Sequence, residues 1–103
     1  SIDDFTFPAL FARRTKAYCE RFGVLEEDIG RVAVKAYANA NKNPNAHMKA
    51  VSMPFEKAAQ KGDRNPCFIQ NEELHPYIKM SDCSQVSDGA SALLLVFQLH
   101  ELL

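Results

Sequence analysis

Residues 81–97 read SDCSQVSDGASALLLVF, a turn of small residues that runs directly into an apolar stretch. Asp88 and Gly89 favour a tight turn, because glycine tolerates a positive φ. The residues that follow do not alternate between apolar and polar, which predicts a strand over residues 90–97 that is buried on both faces. Such a strand needs neighbouring strands on both edges and packed layers on both faces. A chain of 103 residues with one such strand does not supply them, so the sequence indicates a piece of a larger fold.

The composition is that of an ordinary globular domain. The 103 residues are 47% hydrophobic and 24% charged, enough for one domain with a modest core. The net charge of −1 predicts no attraction to nucleic acid or to a membrane surface. The longest apolar run is too short to span a bilayer and the N-terminus lacks a signal-peptide pattern, so we expect neither membrane insertion nor secretion. The cysteines Cys19, Cys67 and Cys83 fit neither a disulfide pattern nor a zinc site and are expected to be free thiols.

Two long helices are predicted in the first half of the chain. The first starts near Phe7, with Pro8 in its first turn, and Gly23 ends it. Its helical spacing predicts an apolar packing face of Phe7, Leu10, Phe11, Tyr18 and Phe22. The second runs from about Glu26, where acidic residues favour a helix N-terminus, to about Ala40. Its predicted packing face consists of Ile29, Val32, Ala33, Ala36, Tyr37 and Ala40.

The second half carries weaker signals. Ser52 is a candidate cap for a short helix with Pro54 in its first turn. Residues 62–66 form a turn cluster, and residues 77–80 are a candidate short strand. Residues 98–103 have a helical pattern but follow the predicted strand without a turn signal. The fold class is therefore α+β and mainly helical, with at least one strand.

No catalytic constellation is evident. Cys83 lies beside Asp82 and is the candidate nucleophile, but a reactive thiol needs a base, a cation or a helix N-terminus that lowers its pKa. The sequence identifies no such partner, so we interpret Cys83 as a small buried side chain, with a place in a ligand-facing loop as the alternative. The histidines lack the spacing of metal ligands, and we expect surface or packing roles and no metal site for His47, His75 and His100.

Basic residues are the remaining candidates for ligand binding. Lys57 and Lys61 are spaced to share one face of a helix, and Arg64 follows in the turn. A phosphate-bearing ligand is recognised by such groups. The alternative is that these side chains form a solvated surface, as runs of charge usually do.

Three segments together resemble one family. The stretch DCSQVSDGASALLL at residues 82–95 resembles the end of the N-terminal half of thiolases, in particular those of the sterol-carrier-protein type. KAYANANKNP at residues 35–44 is similar to that family's K-N-H-x-x-A-x-x-N-P helix end. FPALFA at residues 7–12 looks like the first helix of the thiolase loop domain, the part that covers the active site. The order and approximate spacing of the three segments agree with the family over nearly the whole chain.

The resemblance implies an acyl-CoA C-acyltransferase of fatty acid β-oxidation, which transfers acyl groups between coenzyme A thioesters through an acyl-cysteine. Residues 1–80 would be the helical loop domain on the coenzyme A side. Residues 81–103 would be the turn, the strand that returns to the α/β sheet of the larger thiolase fold, and the chain end. By position, Ser84 matches a serine that lies along the pantetheine arm, and Leu10 matches a methionine that lines the same tunnel. Phosphate contacts from Lys57, Lys61 or Arg64 are inferred from charge and not from the family.

The departures from the family are equally specific. The motifs of the thiolase nucleophilic cysteine, catalytic histidine and second cysteine are absent from this sequence, so the covalent chemistry is expected outside it. Coenzyme A or acyl-CoA would be a substrate, with no permanently bound cofactor. The parent protein would be a homodimer or homotetramer in a peroxisome-like organelle or mitochondrion. Two alternatives stay open: a thiolase-like protein without catalysis, and a non-catalytic helical module that binds a lipid or a partner protein through its first helix.

Overall fold

The computed structural model describes residues 2–97, and its architecture is mainly helical. The elements in chain order are α1 (Thr6–Phe22), α2 (Glu26–Asn41), the short helix α3 (Phe55–Ala58) and 3₁₀ helices at His75–Tyr77 and Met80–Asp82. Within residues 2–97 there is no strand, and β-pairing is limited to isolated bridges between Gly62 and Asn65 and between Cys67 and Lys79. None of the helices in this part of the chain has the length and apolarity needed to cross a membrane.

The boundaries of both long helices agree with the prediction to within one residue. Gly23 ends α1 with a φ of 66°, and its N–H donates to the Cys19 carbonyl at 2.9 Å. Only glycine adopts this left-handed conformation without strain. At the start of α2 the Asp28 carboxylate accepts the Leu25 N–H at 3.0 Å, which satisfies a donor that the helix itself leaves free.

The predicted packing face of α1 was wrong. The helix buries Ala9 and Ala12, whereas the predicted face is exposed, from 39% for Leu10 to 77% for Phe7. The alanines allow the segment 68–78 to approach the helix closely, and that segment supplies the bulky core side chains Ile69, Leu74 and Ile78. The apolar periodicity of α1 identified the face with its large apolar side chains. It did not reveal that the neighbouring face of small residues would be the buried one.

A second, smaller core joins α2 to α3. It consists of Ala33, Met53 and Ala58, with Val34 and Tyr37 against it. Gly30 permits the contact, since a Cβ at this position would lie 2.5 Å from the carbonyl oxygen of Ala58. The Arg31 guanidinium also lies over the Phe55 ring, 5.0 Å from its centroid. The second half of the chain therefore packs on α2 partly through the close backbone contact at Gly30 and partly through the side chains of this core.

Two local predictions in the second half were wrong. Pro54 precedes α3, and no side chain caps the helix, so Ser52 is not its cap. The helix ends at Ala58, which leaves Lys61 outside it, and the shared helical face predicted for Lys57 and Lys61 does not form. The predicted strand at residues 77–80 is instead the end of one 3₁₀ helix, a single bridge and the start of another.

The strand predicted over residues 90–97 is not formed either. Leu93 to Phe97 are between 77% and 89% exposed, and no strand within residues 2–97 offers them backbone partners. A strand needs such partners, because each residue carries a donor and an acceptor to be satisfied. The radius of gyration is 17.1 Å, against about 13 Å for a compact domain of this length, consistent with a stretch that leaves the helical body. The helix predicted for residues 98–103 lies outside the described residues.

Asp3 ties the beginning of the chain to the segment that packs against α1. Its carboxylate accepts the N–H of Phe5 at 3.0 Å and those of Gln70 and Asn71 at 2.7 Å. The N–H of Phe5 above all, with those of Asn71 and Gln70, lowers the pKa of Asp3 below its usual value, although burial acts in the opposite direction.

This contact makes part of the stability pH-dependent. A carboxyl whose pKa is lower in the folded state stabilises the fold above its unfolded pKa and loses that contribution as the pH falls through the folded value. We expect Asp3→Asn to destabilise the protein at about pH 7, and we expect its difference from wild type to shrink as the pH falls below the ordinary range of aspartate. Urea titrations of both proteins across this range measure the effect. A difference that does not shrink on acidification would contradict the assignment.

Candidate functional site

A cleft of about 540 Å³ lies between α2 and the segment 81–88. One side is formed by the face of α2 that was predicted to pack, and all six of its residues line the cleft. Residues 45–48 form a second side, and the third consists of Ser81, Asp82, Cys83, Ser84, Gln85, Ser87 and Asp88. One side is therefore apolar and the facing side is rich in hydroxyl, amide and carboxylate groups.

The apolar side follows from the sequence of α2. Ala33 is buried against α3, whereas Val32 and Ala36 are exposed along the cleft. Alanines at Ala33, Ala36 and Ala40 leave the helix backbone accessible to an occupant, and Ile29 and Tyr37 add apolar surface beside them. An occupant with a narrow apolar body fits this side through dispersion and the removal of water.

The 45–48 side is held by the end of α2. The Asn41 side chain donates from Nδ2 to the carbonyls of Lys49 and Val51, at 3.0 and 2.8 Å. Lys49 Nζ in turn donates to the Pro44 carbonyl at 3.0 Å. These bonds bring His47 and Met48 to the cleft. Sequence reasoning missed this side, because the loop has no periodic pattern and its anchor lies in the preceding helix.

A buried ion pair supports the 81–88 side. Lys79 Nζ lies 3.2 Å from Asp82 Oδ2 and 3.7 Å from Glu26 Oε1 in the first turn of α2. The side chain of Lys79 is 2% exposed and that of Asp82 10%, while Glu26 is 43% exposed. Asp82 Oδ2 also accepts the backbone N–H of Lys79 at 2.9 Å. The Lys79 ammonium group thus links α2, on one side of the cleft, to Asp82 on the 81–88 side.

Cys83 lies on the cleft but is not activated. Burial raises the pKa of its thiol, and the charge of Asp82 raises it further. Its Sγ approaches the Lys79 carbonyl at 3.7 Å, as a weak donor. A nucleophilic cysteine requires the opposite shift. Burial likewise raises the pKa of Cys19 and Cys67, and all three are free thiols. The described residues contain no group of His, Cys, Asp and Glu arranged to hold a metal ion.

The structure separates the predicted site residues. Ser84 lines the cleft. Leu10 lies on the outer face of α1, Lys57 is half-buried at α3, and Lys61 and Arg64 are exposed, none of them among the cleft residues. The Lys61 N–H donates to Glu26 at 3.3 Å. The roles of these residues toward a ligand stay predictions.

Comparison with known proteins gives distant relatives that match most of the chain. No protein-family model matches the chain. The acetyl-CoA acetyltransferase of Methanothermobacter thermautotrophicus is 28% identical over 90 residues, which cover 87% of this chain and 21% of that protein. The acetyl-CoA acetyltransferase of Methanocaldococcus jannaschii is also 28% identical over 90 residues, with 87% and 20% covered. The chain is a distant relative of these thiolases.

A further relative carries a different name. The steroid side-chain-cleaving aldolase of Thermomonospora curvata is 38% identical over 88 residues, which cover 85% of this chain and 19% of that protein. The chain therefore spans about a fifth of the length of the curated relatives it matches. The predicted thiolase relationship is confirmed at this level, and its sterol-carrier-protein type and its organelle stay predictions.

Proposed function

We propose that this chain is part of an acyl-CoA C-acyltransferase of the 3-ketoacyl-CoA thiolase kind, in which it binds coenzyme A and shapes the acyl tunnel. The observation that carries the proposal is the cleft, in which α2 supplies an apolar side and Ser84 belongs to the polar 81–88 side. The similarity to acetyl-CoA acetyltransferases over 87% of the chain supports it. Its role is to position substrate and exclude water, a contribution distinct from the covalent step.

The chemistry of the pantetheine arm suits such a cleft. The arm alternates methyl and methylene groups with amide groups. The apolar groups would pack against Val32 and Ala36, and the amides would exchange hydrogen bonds with Ser84 and Gln85 on the opposite side. Acyl transfer from an enzyme cysteine to the coenzyme A sulfur, with that cysteine regaining its proton, is assigned to residues outside this chain.

Basic residues outside the cleft are the proposed site for the phosphates. The Lys57 carbonyl is joined to Ser81 at the edge of the cleft through the Asn65 side chain. Lys61 and Arg64 lie in the same stretch and are exposed. A 3′-phosphate contact by these groups would make coenzyme A bind more tightly than its dephospho form.

The test is calorimetric titration of the full natural polypeptide with coenzyme A. Ser84→Phe places an aromatic ring on the side of the cleft that would meet the pantetheine arm, and we expect it to weaken binding by about tenfold or more. Ser52→Phe introduces the same ring at an exposed position away from the cleft and serves as the matched control. Equal affinities for the two variants, or no affinity of the wild type for coenzyme A, would contradict the proposal.

A second candidate is retro-aldol cleavage. It is favoured by the identity of 38% to the aldolase, which exceeds the 28% to the acetyltransferases. The cleft would then hold an acyl-CoA whose side chain is cut to a shorter thioester and a free carbonyl compound. No second coenzyme A takes part in that reaction.

The two candidates differ in what they consume. A thiolase cleaves a 3-ketoacyl-CoA only when free coenzyme A is present, and it yields two thioesters. The proposed retro-aldol reaction would cleave a 3-hydroxyacyl-CoA without free coenzyme A and would yield one thioester and one aldehyde or ketone. Product analysis of the full natural polypeptide with each substrate class decides between them. Cleavage of neither would leave a non-catalytic module, for which the exposed face of α1 offers a binding surface.

A further inference from the structure

One side chain outside the cleft makes three hydrogen bonds, two to Ser81 on the 81–88 side and one to α3. Asn65 is buried and does not line the cleft. Its Oδ1 accepts the N–H of Ser81 at 2.9 Å. Its Nδ2 donates to Ser81 Oγ at 2.8 Å and to the Lys57 carbonyl at 2.7 Å. Both donor hydrogens and the acceptor of the amide are therefore used, a pattern that no other side chain of this size reproduces.

The amide is itself held at both ends. Asn65 and Gly62 exchange backbone hydrogen bonds of 3.0 and 3.1 Å, which close the turn that carries the side chain. The Lys57 carbonyl belongs to α3, which packs on α2 at Gly30. A rigid connection thus runs from α2 through α3 and Asn65 to Ser81, the first residue of the facing side of the cleft.

We propose that Asn65 is a positioning residue, which through Ser81 sets the place of Cys83 and Ser84 on the cleft. The identity of the ligand depends on the proposed function, whereas the positioning role of Asn65 does not. The ion pair between Lys79 and Asp82 does not involve Asn65, so we expect the protein to stay folded when the Asn65 amide is lost. Ser81 then loses both of its hydrogen bonds to Asn65, and the residues that follow it are held less firmly on the cleft.

The thiol of Cys83 reports on this placement without any ligand. Alkylation by iodoacetamide is followed for each cysteine by peptide mass spectrometry in the full natural polypeptide. We expect Asn65→Ala to accelerate alkylation of Cys83 by about tenfold or more, with Cys19 unchanged. Equal acceleration at Cys19 and Cys83 would indicate general destabilisation and overturn the proposal, as would an unchanged rate at Cys83.

Three further variants sharpen the result. Asn41→Ala removes an amide that also makes two hydrogen bonds, but on the 45–48 side, and should leave the Cys83 rate unchanged. Asn65→Asp keeps the acceptor for the Ser81 N–H and loses both donors. Ser81→Ala loses only the Oγ contact. Ser81→Ala should fall between wild type and Asn65→Ala, and a rate that matches Asn65→Ala would contradict the graded role. Asn65→Asp should accelerate alkylation of Cys83 at least as much as Asn65→Ala, because its buried carboxylate would face the Lys57 carbonyl oxygen. A slower rate in Asn65→Asp than in Asn65→Ala would show that the donors of the amide are not needed.

Coenzyme A binding is interpreted separately from the alkylation rates. If wild type binds coenzyme A, Asn65→Ala should bind it about tenfold more weakly at unchanged stoichiometry. If wild type does not bind it, the proposed function fails, while the alkylation rates still decide whether Asn65 positions the segment. Coenzyme A affinity that is equal in wild type and Asn65→Ala would overturn the positioning role toward that ligand.

Discussion

Replacing Gly30 with alanine is expected to push α3 away from α2 and to lower the free energy of unfolding by about 2 kcal/mol or more. A Cβ at Gly30 would lie 2.5 Å from the Ala58 oxygen, 2.8 Å from its carbonyl carbon and 2.9 Å from the Ala59 Cα. All three are backbone atoms, which cannot rotate aside as a side chain does. In an open helix the same change would instead stabilise by about 1 kcal/mol, so the sign of the effect tests the contact.

Gly89→Ala is the matched control. A Cβ at Gly89 would meet no atom within 4 Å, and the φ of this residue is not positive, so we expect a negligible change in stability. Urea unfolding followed by circular dichroism compares the two variants with wild type. A neutral or stabilising Gly30→Ala would mean that α3 does not lie against α2 as described. The same displacement should also disturb the cleft, because the Lys57 carbonyl that anchors Asn65 moves with α3.

The second large effect is expected from Lys79→Met. The methionine retains most of the apolar stem but removes the ammonium group, which leaves the Asp82 carboxylate buried without its counter-charge. Asp82 Oδ1 already has no hydrogen-bond partner among the described residues. Breaking a buried ion pair from one side costs about 3 kcal/mol or more, and we expect a loss of that order in the free energy of unfolding.

Two companion variants test whether the unpaired buried carboxylate causes the loss of stability in Lys79→Met. Glu26→Gln removes the other partner of Lys79, but that carboxylate is 43% exposed, so the loss should be less than about 1 kcal/mol. The double variant Lys79→Met/Asp82→Leu leaves no buried charge and should recover part of the stability lost in Lys79→Met. With the single variant Asp82→Leu added, wild type, the two single variants and the double variant form a double-mutant cycle, which is measured by chemical unfolding. An additive cycle would show that the pair is not coupled.

The elements predicted well are those with a local physical cause. Gly23 ends α1 because of its own backbone freedom, and acidic residues favour the start of α2 whatever surrounds it. The packing faces depend on partners distant in the sequence. In α1 the alanines were buried in place of the aromatic residues, because the segment around Ile69 approaches too closely for larger side chains.

The site was predicted on one side only. Ser84 was singled out through a motif and lines the cleft, but its role toward a ligand stays a prediction. The apolar face of α2 was assigned to packing, which holds for Ala33 and Tyr37, but that face also lines the cleft. Asn65 and Lys79 were not identified, because a lone asparagine and a lone lysine have no signature in a single sequence. Their roles exist only once the fold brings Ser81 and Glu26 beside them.

The exposed apolar run at residues 93–97 has a consequence for handling the protein. Leu93 to Phe97 are all apolar, carry no charge and no proline, and form no backbone pairing with a strand within residues 2–97. Segments of this kind nucleate cross-β assemblies when they stay uncovered. A preparation of these residues by themselves is therefore prone to form fibrils. During synthesis on the ribosome, an exposed apolar run of this kind is also a binding site for chaperones.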